Sequence, residues 1–549
     1  MRRRGHHPRN QRDSRYIGDY LHNILRPLVP PLRTSGWMWH LYCCYFSYMS
    51  TGRWTNRGIM NDASDLWSVS MPGKSNRIRL IAAAALALAA LPAAAQTRDA
   101  PPPPAAERLG LDSLFGANMV LQRDRPIAIW GRAKPGERVE VSLGGKHAVA
   151  VADADGAWRA RLAPRRAGGP YRLEASAASF HDRYDDVMIG DVWLCAGQSN
   201  MEFRRSKALD LDQRFAPDPG LRILDVARQQ APAPSPHLMT LGGWSRSAPA
   251  TAANFSAVCH HFGQRLRAAL GVPIGLIDAA WGGTQIAAFV DEDMLTSREL
   301  APSIADPASR QNGGRVFNGM IAPLAPFALR GVLWYQGESD THRPEAYGAR
   351  LAALAASWRK AFAQPLPFVV IQLPAFDPAP KDPSGHWAIV REAQRRFAAN
   401  DDRAGLVVQI DQGSAHQLHP PRKAVVAERA AAVALADVYR SGGAKGPRAA
   451  TIARTKTAIR IRFATAGALS GRDGPAVEGF ELCAERCAPV AARVIGARDV
   501  ELLIPAGTDP RSVRYAWADV PAPALFDGSG WPVGPFETAI PKRGKARID

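Results

Sequence analysis

The chain has 549 residues, 46% of them hydrophobic and 22% charged, a composition normal for a globular protein and a length that predicts three or four units. Its formal charge of +19 points toward nucleic acid or an anionic surface, but residues 1–70 hold ten Arg against four acidic residues and residues 71–95 add Lys74, Arg77 and Arg79. The remainder is spread without runs and without aromatic–basic interleaving, which excludes an RNA-binding reading.

The first landmark is Met71. Lys74, Arg77 and Arg79 precede the apolar run Leu80 to Leu91, then Pro92 and three alanines lead to Gln96. That is the pattern of a signal peptide over 71–95, too short in its apolar part to serve comfortably as a retained membrane anchor. Residues 1–70 are read as a mis-assigned upstream extension, with a tail on a signal anchor as the alternative. Residues 96–110, with Pro101–Pro104, form a stiff linker. Export permits disulfides. Of the four cysteines after Ala95, Cys483 and Cys487 are the only local candidates, and no neighbouring His or Cys suggests zinc.

Residues 111–188 read as a small β-sandwich. Val139, Val141 and Leu143 alternate with polar residues, Gly144-Gly145 makes a hairpin turn, and Val149 and Val151 alternate again. Over 189–445 the period changes. Val192–Ala196, Val272–Ala279, Gly331–Tyr335, Phe368–Leu373 and Leu406–Ile410 are near-continuous apolar runs, as expected of strands covered on both faces. Between them, Tyr347, Leu351, Leu354, Trp358 and Phe362 mark a helical stripe, and Arg422 to Arg440 is rich in Ala and Val. The alternation predicts a three-layer α/β domain on a parallel sheet, with chemistry at the carboxyl ends of its strands. Residues 446–549 return to alternating strands and predict a C-terminal β unit.

Ser199 follows the strand Val192–Ala196 in Gly197-Gln198-Ser199-Asn200-Met201, where a tight turn exposes a nucleophile and its N–H serves an oxyanion. His419, in Leu418-His419-Pro420-Pro421 ahead of the last helix, suits a general base. Two further turns at strand ends fit an oxyanion hole: Trp281-Gly282-Gly283-Thr284, whose glycines expose backbone N–H groups, and Gln336-Gly337-Glu338-Ser339-Asp340, which offers a side-chain amide.

Longer motifs run in order through the chain. They are Leu114 to Arg123 with Ile129-Trp130-Gly131, Ile189 to Glu202, Phe317 to Leu324, Trp334 to Ser339, His419-Pro420 with Lys423, Val513 to Trp517, and Pro535-Phe536. Together they resemble the sialate O-acetylesterases of the SGNH-hydrolase superfamily. The resemblance implies an SGNH-hydrolase domain flanked by the two β units, and a serine esterase acting on O-acetyl groups of a small sugar or oligosaccharide. It implies Ser199 as nucleophile, His419 as base, and Ser199 N–H, Gly282 or Gly283, and Gln336 as oxyanion donors. No metal or organic cofactor is implied; the charge distribution predicts no nucleic-acid partner, and the segment 71–95 predicts no stable membrane anchor and an exported location, periplasmic or extracellular. SGNH enzymes place an Asp two or three residues before the His, where this chain has Gln417 and His416. Asp411, at the end of the preceding strand, is the first candidate for the third member, and a backbone carbonyl with a Ser–His dyad is the other. An esterase for acetylated xylan or other plant polysaccharide, and an inactive carbohydrate-binding protein, are the alternative readings.

Overall fold

A computed structural model describes residues 108–297, 300–302, 308–377, 386–542 and 544–548. The expected extension and signal peptide, and the linker up to residue 107, lie outside the described residues. The chain is a mixed α/β protein dominated by sheets.

Residues 110–177 form short strands, antiparallel apart from Val120–Gln122, which pairs in parallel with Phe180–Gly197. Ile127–Arg132 lies between Gly110–Leu111 and Ala157–Leu162, and Arg138–Leu143 lies between Lys146–Val151 and Gly168–Ala177. The pairing of Leu143 with Lys146 leaves Gly144-Gly145 as the expected two-residue turn. Strand β1, Phe180–Gly197, then runs 18 residues through two environments. Its first half pairs with Gly168–Ala177 and carries mixed burial; from Ile189 onward every residue is buried. The expected boundary between 188 and 189 falls inside this one strand.

The second half of β1 is central in a parallel sheet. With β2 (Asp218–Asp225), β3 (Ile274–Ala280), β4 (Gly331–Tyr335), β5 (Phe368–Ile371) and β6 (Ala404–Val407), the order is β2-β3-β1-β4-β5-β6. All five pairings are parallel, and Ser245–Ser247 adds an antiparallel edge beside β2. Strand β2 was not expected. Asp218, Pro219 and Gly220 look like a turn, and only Gly220 to Leu224 are continuously buried.

Alternate strand residues feed two apolar clusters, as the strand period requires. On one face Val332, Trp334, Phe368 and Val370 pack with Tyr347, Leu351, Leu354 and Trp358 of helix α3, Pro344–Phe362, and that cluster continues into Val139, Val141 and Trp158 of the N-terminal strands. On the other, Leu333, Tyr335, Val369 and Ile371 pack with α2 (Ala257–Leu270) and α5 (Ala424–Ala434). Helix α1 is the single turn Ser199–Glu202, and α4 spans His386–Asn400. No helix among the described residues is long and apolar enough to cross a membrane.

From Arg448 the strands are antiparallel, in a six-stranded, a four-stranded and a two-stranded sheet. Their shared core includes Val408 and Ile410 from the end of the parallel region. Arg391 of α4, fully buried, donates to the carbonyls of Leu373, Pro374, Ala518 and Asp519, so one guanidinium fastens the C-terminal strands to the parallel domain.

Among the described residues two disulfides are present, Cys483–Cys487 and Cys195–Cys259. The first matches the local pair noted in the sequence. The second joins β1 to α2 across 64 residues, a pairing that sequence spacing does not reveal. Closing so long a loop removes denatured-state entropy worth about 4 kcal/mol. Replacing both Cys195 and Cys259 by Ser is therefore expected to lower the unfolding free energy by about that amount in equilibrium denaturation; an unchanged midpoint and slope would exclude it.

Candidate active site

Strand β1 ends at Gly197, with φ +141°. A Cβ there would lie 2.0 Å from the Tyr335 carbonyl oxygen, so only glycine lets the ends of β1 and β4 meet this closely. The chain then turns: Gln198 N donates to Tyr335 O at 3.1 Å, Trp281 N donates to Gly197 O at 3.0 Å, and Ser199 opens α1. The Gln198 side-chain oxygen accepts from Gln336 Nε2 at 3.0 Å and Ser339 N at 3.2 Å, stitching the second turn to the first.

His419 lies on the loop between β6 and α5, its Nε2 2.7 Å from Ser199 Oγ. The residue is exposed. Partial desolvation and the nearby Lys423 ammonium hold its pKa below 6.5, keeping the imidazole neutral and able to accept the serine proton. Lys423 is itself buried, which brings its pKa down to about 7 against the pull of Glu338 and Asp210. Burial likewise raises the Glu338 carboxyl above its ordinary range.

Gly282 sits against the serine, since a Cβ on it would be 3.3 Å from Ser199 Cβ. Its N–H donates to Glu202 Oε2 at 2.8 Å, and Glu202 is also paired with Arg228. The N–H groups of Ser199 and Gly283 have no acceptor among the described residues. Gln336 is close by but fully buried, and its Nε2 serves Gln198, the Thr284 carbonyl at 3.2 Å and Asp340 Oδ2 at 2.6 Å. Three acceptors around that nitrogen fix the orientation of the amide and commit its donor side to the turn.

The structure thus brings Ser199, His419, Gly282, Gly283 and Gln336 together. It does not bring Asp411 to them. Both Asp411 oxygens face Arg429, at 2.6 and 2.8 Å, and Gln412 adds a further contact at 2.8 Å. Arg429 projects from α5 and also donates to Val408 O, so the pair joins helix to strand end and never reaches the imidazole. Among the described residues no carboxylate hydrogen-bonds His419. Three residues around the pair went unassigned from sequence: Asn200, Glu338 and Lys423. All lie within motifs, yet a polar residue in a motif carries no mark of which neighbour it faces.

The family described as carbohydrate esterase, sialic acid-specific acetylesterase, matches residues 189–432. The chain is 33% identical over 275 residues to the sialate O-acetylesterase of Homo sapiens, covering 46% of this chain and 53% of that one. It is 30% identical over 298 residues to that of Mus musculus, covering 44% and 54%. The chain therefore spans about half the length of these relatives. A crystal structure of a carbohydrate acetylesterase from Xanthomonas citri aligns with a TM-score of 0.71 at 34% identity, over 78% of this chain and 99% of that one.

The placement of Asp411 yields a test. Asp411→Asn is expected to weaken the pair with Arg429 and lower stability by about 2 kcal/mol, with kcat for p-nitrophenyl acetate changed only a few-fold. A kcat loss of about 10⁴-fold at unchanged stability is what removal of a tautomer-fixing carboxylate produces, and would return Asp411 to the reaction.

Proposed function

Because the chain belongs to the family of sialic acid-specific carbohydrate acetylesterases, we propose that it is a serine esterase that hydrolyses O-acetyl esters on sugars, with O-acetylated sialic acid as the favoured substrate class. The observation that carries this reading is the 2.7 Å contact between His419 Nε2 and Ser199 Oγ at the carboxyl end of the parallel sheet. We read residues 189–445 as a three-layer SGNH-hydrolase domain, between a β-sandwich over 111–188 and a β-rich region over 446–549.

In this mechanism His419 Nε2 takes the Ser199 proton as Oγ attacks the acetyl carbonyl. The alkoxide is held by the free N–H groups of Ser199 and Gly283, whereas Gly282 and Gln336 shape the hole through their bonds to Glu202, Gln198 and Asp340. The imidazolium then protonates the departing sugar oxygen, leaving acetyl on Ser199. Water, deprotonated by His419, attacks the acetyl-enzyme and releases acetate with the serine restored. The pair works as a dyad, with no carboxylate on Nδ1.

A second reading, an esterase for another acetylated carbohydrate, is favoured by coverage: the chain spans 99% of the Xanthomonas citri carbohydrate acetylesterase but 53% of the human sialate enzyme. Acetate release from O-acetyl sialic acids and from acetylated xylo-oligosaccharides, run side by side, separates the two. The chain is also proposed to be exported through the segment 71–95, so the secreted form should begin near Gln96 on N-terminal sequencing; peptides from 1–70 in that material would refute this.

Ser199→Ala and His419→Ala are each expected to lower kcat by about 10³-fold or more, with the double variant little worse, because the two act as a unit. Near-additive losses would break the assignment. The lowered His419 pKa sets the pH dependence. Protonation removes the base, so kcat/KM falls toward acid with a midpoint below 6.5. A midpoint above 6.5 in the pH profile would contradict it.

A further inference from the structure

The imidazole of His419 lacks the carboxylate that usually orients such a base, yet it meets Ser199 at hydrogen-bonding distance. Something else must hold it there. Asn200, next to the nucleophile in sequence, is fully buried and makes three side-chain hydrogen bonds. Its Nδ2 donates to the carbonyl of Leu418, the residue before His419, at 3.0 Å, and to Glu338 Oε1 at 2.6 Å. Its Oδ1 accepts from Lys423 Nζ at 2.7 Å. Donor and acceptor sides are therefore assigned by their partners, and the amide has one orientation.

Lys423 is anchored in turn. Its backbone N–H and that of Ala424 donate to the two oxygens of Asp210, at 2.8 and 3.0 Å, which caps the start of α5. Leu209 N donates to Pro421 O at 3.0 Å. The ammonium lies over the rings of Phe203 and Tyr335. The loop from Leu418 to Lys423 is thus gripped from beneath by Asn200 and from the side by residues 209 and 210.

We propose that Asn200, locked by Glu338 and Lys423, is a positioning residue that presents His419 to Ser199 through the backbone of Leu418, taking the place of a triad carboxylate. The proposal rests on the reading of Ser199 and His419 as nucleophile and base. A clasp from the residue after the nucleophile to the residue before the base fixes the two reacting side chains in one frame. The groups facing the clasp are Glu338 from the β4 turn, Asp210 from the loop after α1, and Lys423 at the head of α5. Lys423 is also the charged group that acts on the imidazole.

The test uses the full chain and p-nitrophenyl acetate. Asn200→Ala is expected to lower kcat by about a hundredfold with KM changed less than about threefold, the signature of a misplaced base rather than lost binding. Glu338→Gln, which keeps an acceptor oxygen for Asn200, is expected to recover most of the activity that Glu338→Ala loses. Lys423→Met removes the ammonium from the imidazole, so the acid limb of kcat/KM moves to higher pH; a merely structural lysine leaves that limb in place. Should Asn200→Ala fail to fold, the Glu338 pair and Lys423→Met decide the question alone. An Asn200→Ala enzyme with kcat within a few-fold of wild type, equal activities of the two Glu338 variants, or an unmoved acid limb in Lys423→Met would each overturn the clasp. Ser199→Ala and His419→Ala run alongside: activity surviving in either refutes the nucleophile and base themselves, whereas their loss beside an unaffected Asn200→Ala refutes only the clasp.

Discussion

The backbone contact between Gly197 and Tyr335 is the constraint on which the site depends. With any side chain at 197 the ends of β1 and β4 would be forced apart, because the Cβ position is 2.0 Å from the Tyr335 oxygen. Their closeness places the Ser199 turn and the Gln336 turn side by side, and the bond from Trp281 N to Gly197 O draws in the third turn. Three strand ends therefore deliver three polar turns to one point. The Gln198 side chain sews two of them together, and Glu202 takes the Gly282 amide to sew the third. Chemistry at the carboxyl end of a parallel sheet is a common consequence of such topology. Here its local cause is a missing methyl group.

Beneath these turns lies a polar layer, set against the rings of Tyr335 and Phe203. Gln336, Asp340, Asn200 and Lys423 are all buried, and Arg350 stands beside Asp340. Buried charge is tolerated only when it is paired and hydrogen-bonded. The layer meets much of that condition by alternating donors and acceptors: carboxyl of Asp340, amide of Gln336, amide oxygen of Gln198; carboxyl of Glu338, amide of Asn200, ammonium of Lys423; Gln336 Oε1 and Glu338 Oε2 alone among these are left without a partner. Each side-chain amide spans two partners that would otherwise be left incomplete. Removing one member exposes two others to an unsatisfied interior, so the layer is rigid as well as polar.

Much of this was legible in the sequence. Near-continuous apolar runs announced β1, β3, β4, β5 and β6, since strands covered on both faces need no polar alternation. Glycine-rich turns after them announced where Ser199, Gly282 and Gln336 stand. What stayed hidden has identifiable causes. Strand β2 begins with Asp218-Pro219-Gly220, a turn by composition, and its pairing with β3 comes from tertiary contact. Cys195 and Cys259 are 64 residues apart, and distance along the chain conceals their meeting. Asp411 looked like an orienting acid because it ends the strand before the histidine loop. The arginine that takes it, Arg429, lies 18 residues on, in a helix whose exposed and buried faces the Ala-rich sequence does not distinguish.

On the proposed reading of His419 as the base, its exposure explains how such a base works without a carboxylate behind it. With Nε2 accepting from Ser199, the ring proton is on Nδ1. In a buried triad the imidazolium formed during attack has no water to solvate it, and an acid must supply the compensating charge. His419 is exposed, so water can reach the ring and share the charge that develops. Orientation is then the remaining task, and orientation does not require a charge. It requires a loop that cannot drift, which hydrogen bonds to the backbone of Leu418, Pro421, Lys423 and Ala424 supply. The opposing influence is Lys423, whose positive charge disfavours the imidazolium. On that proposed reading, an exposed base and a fastened loop together do what one aspartate does elsewhere.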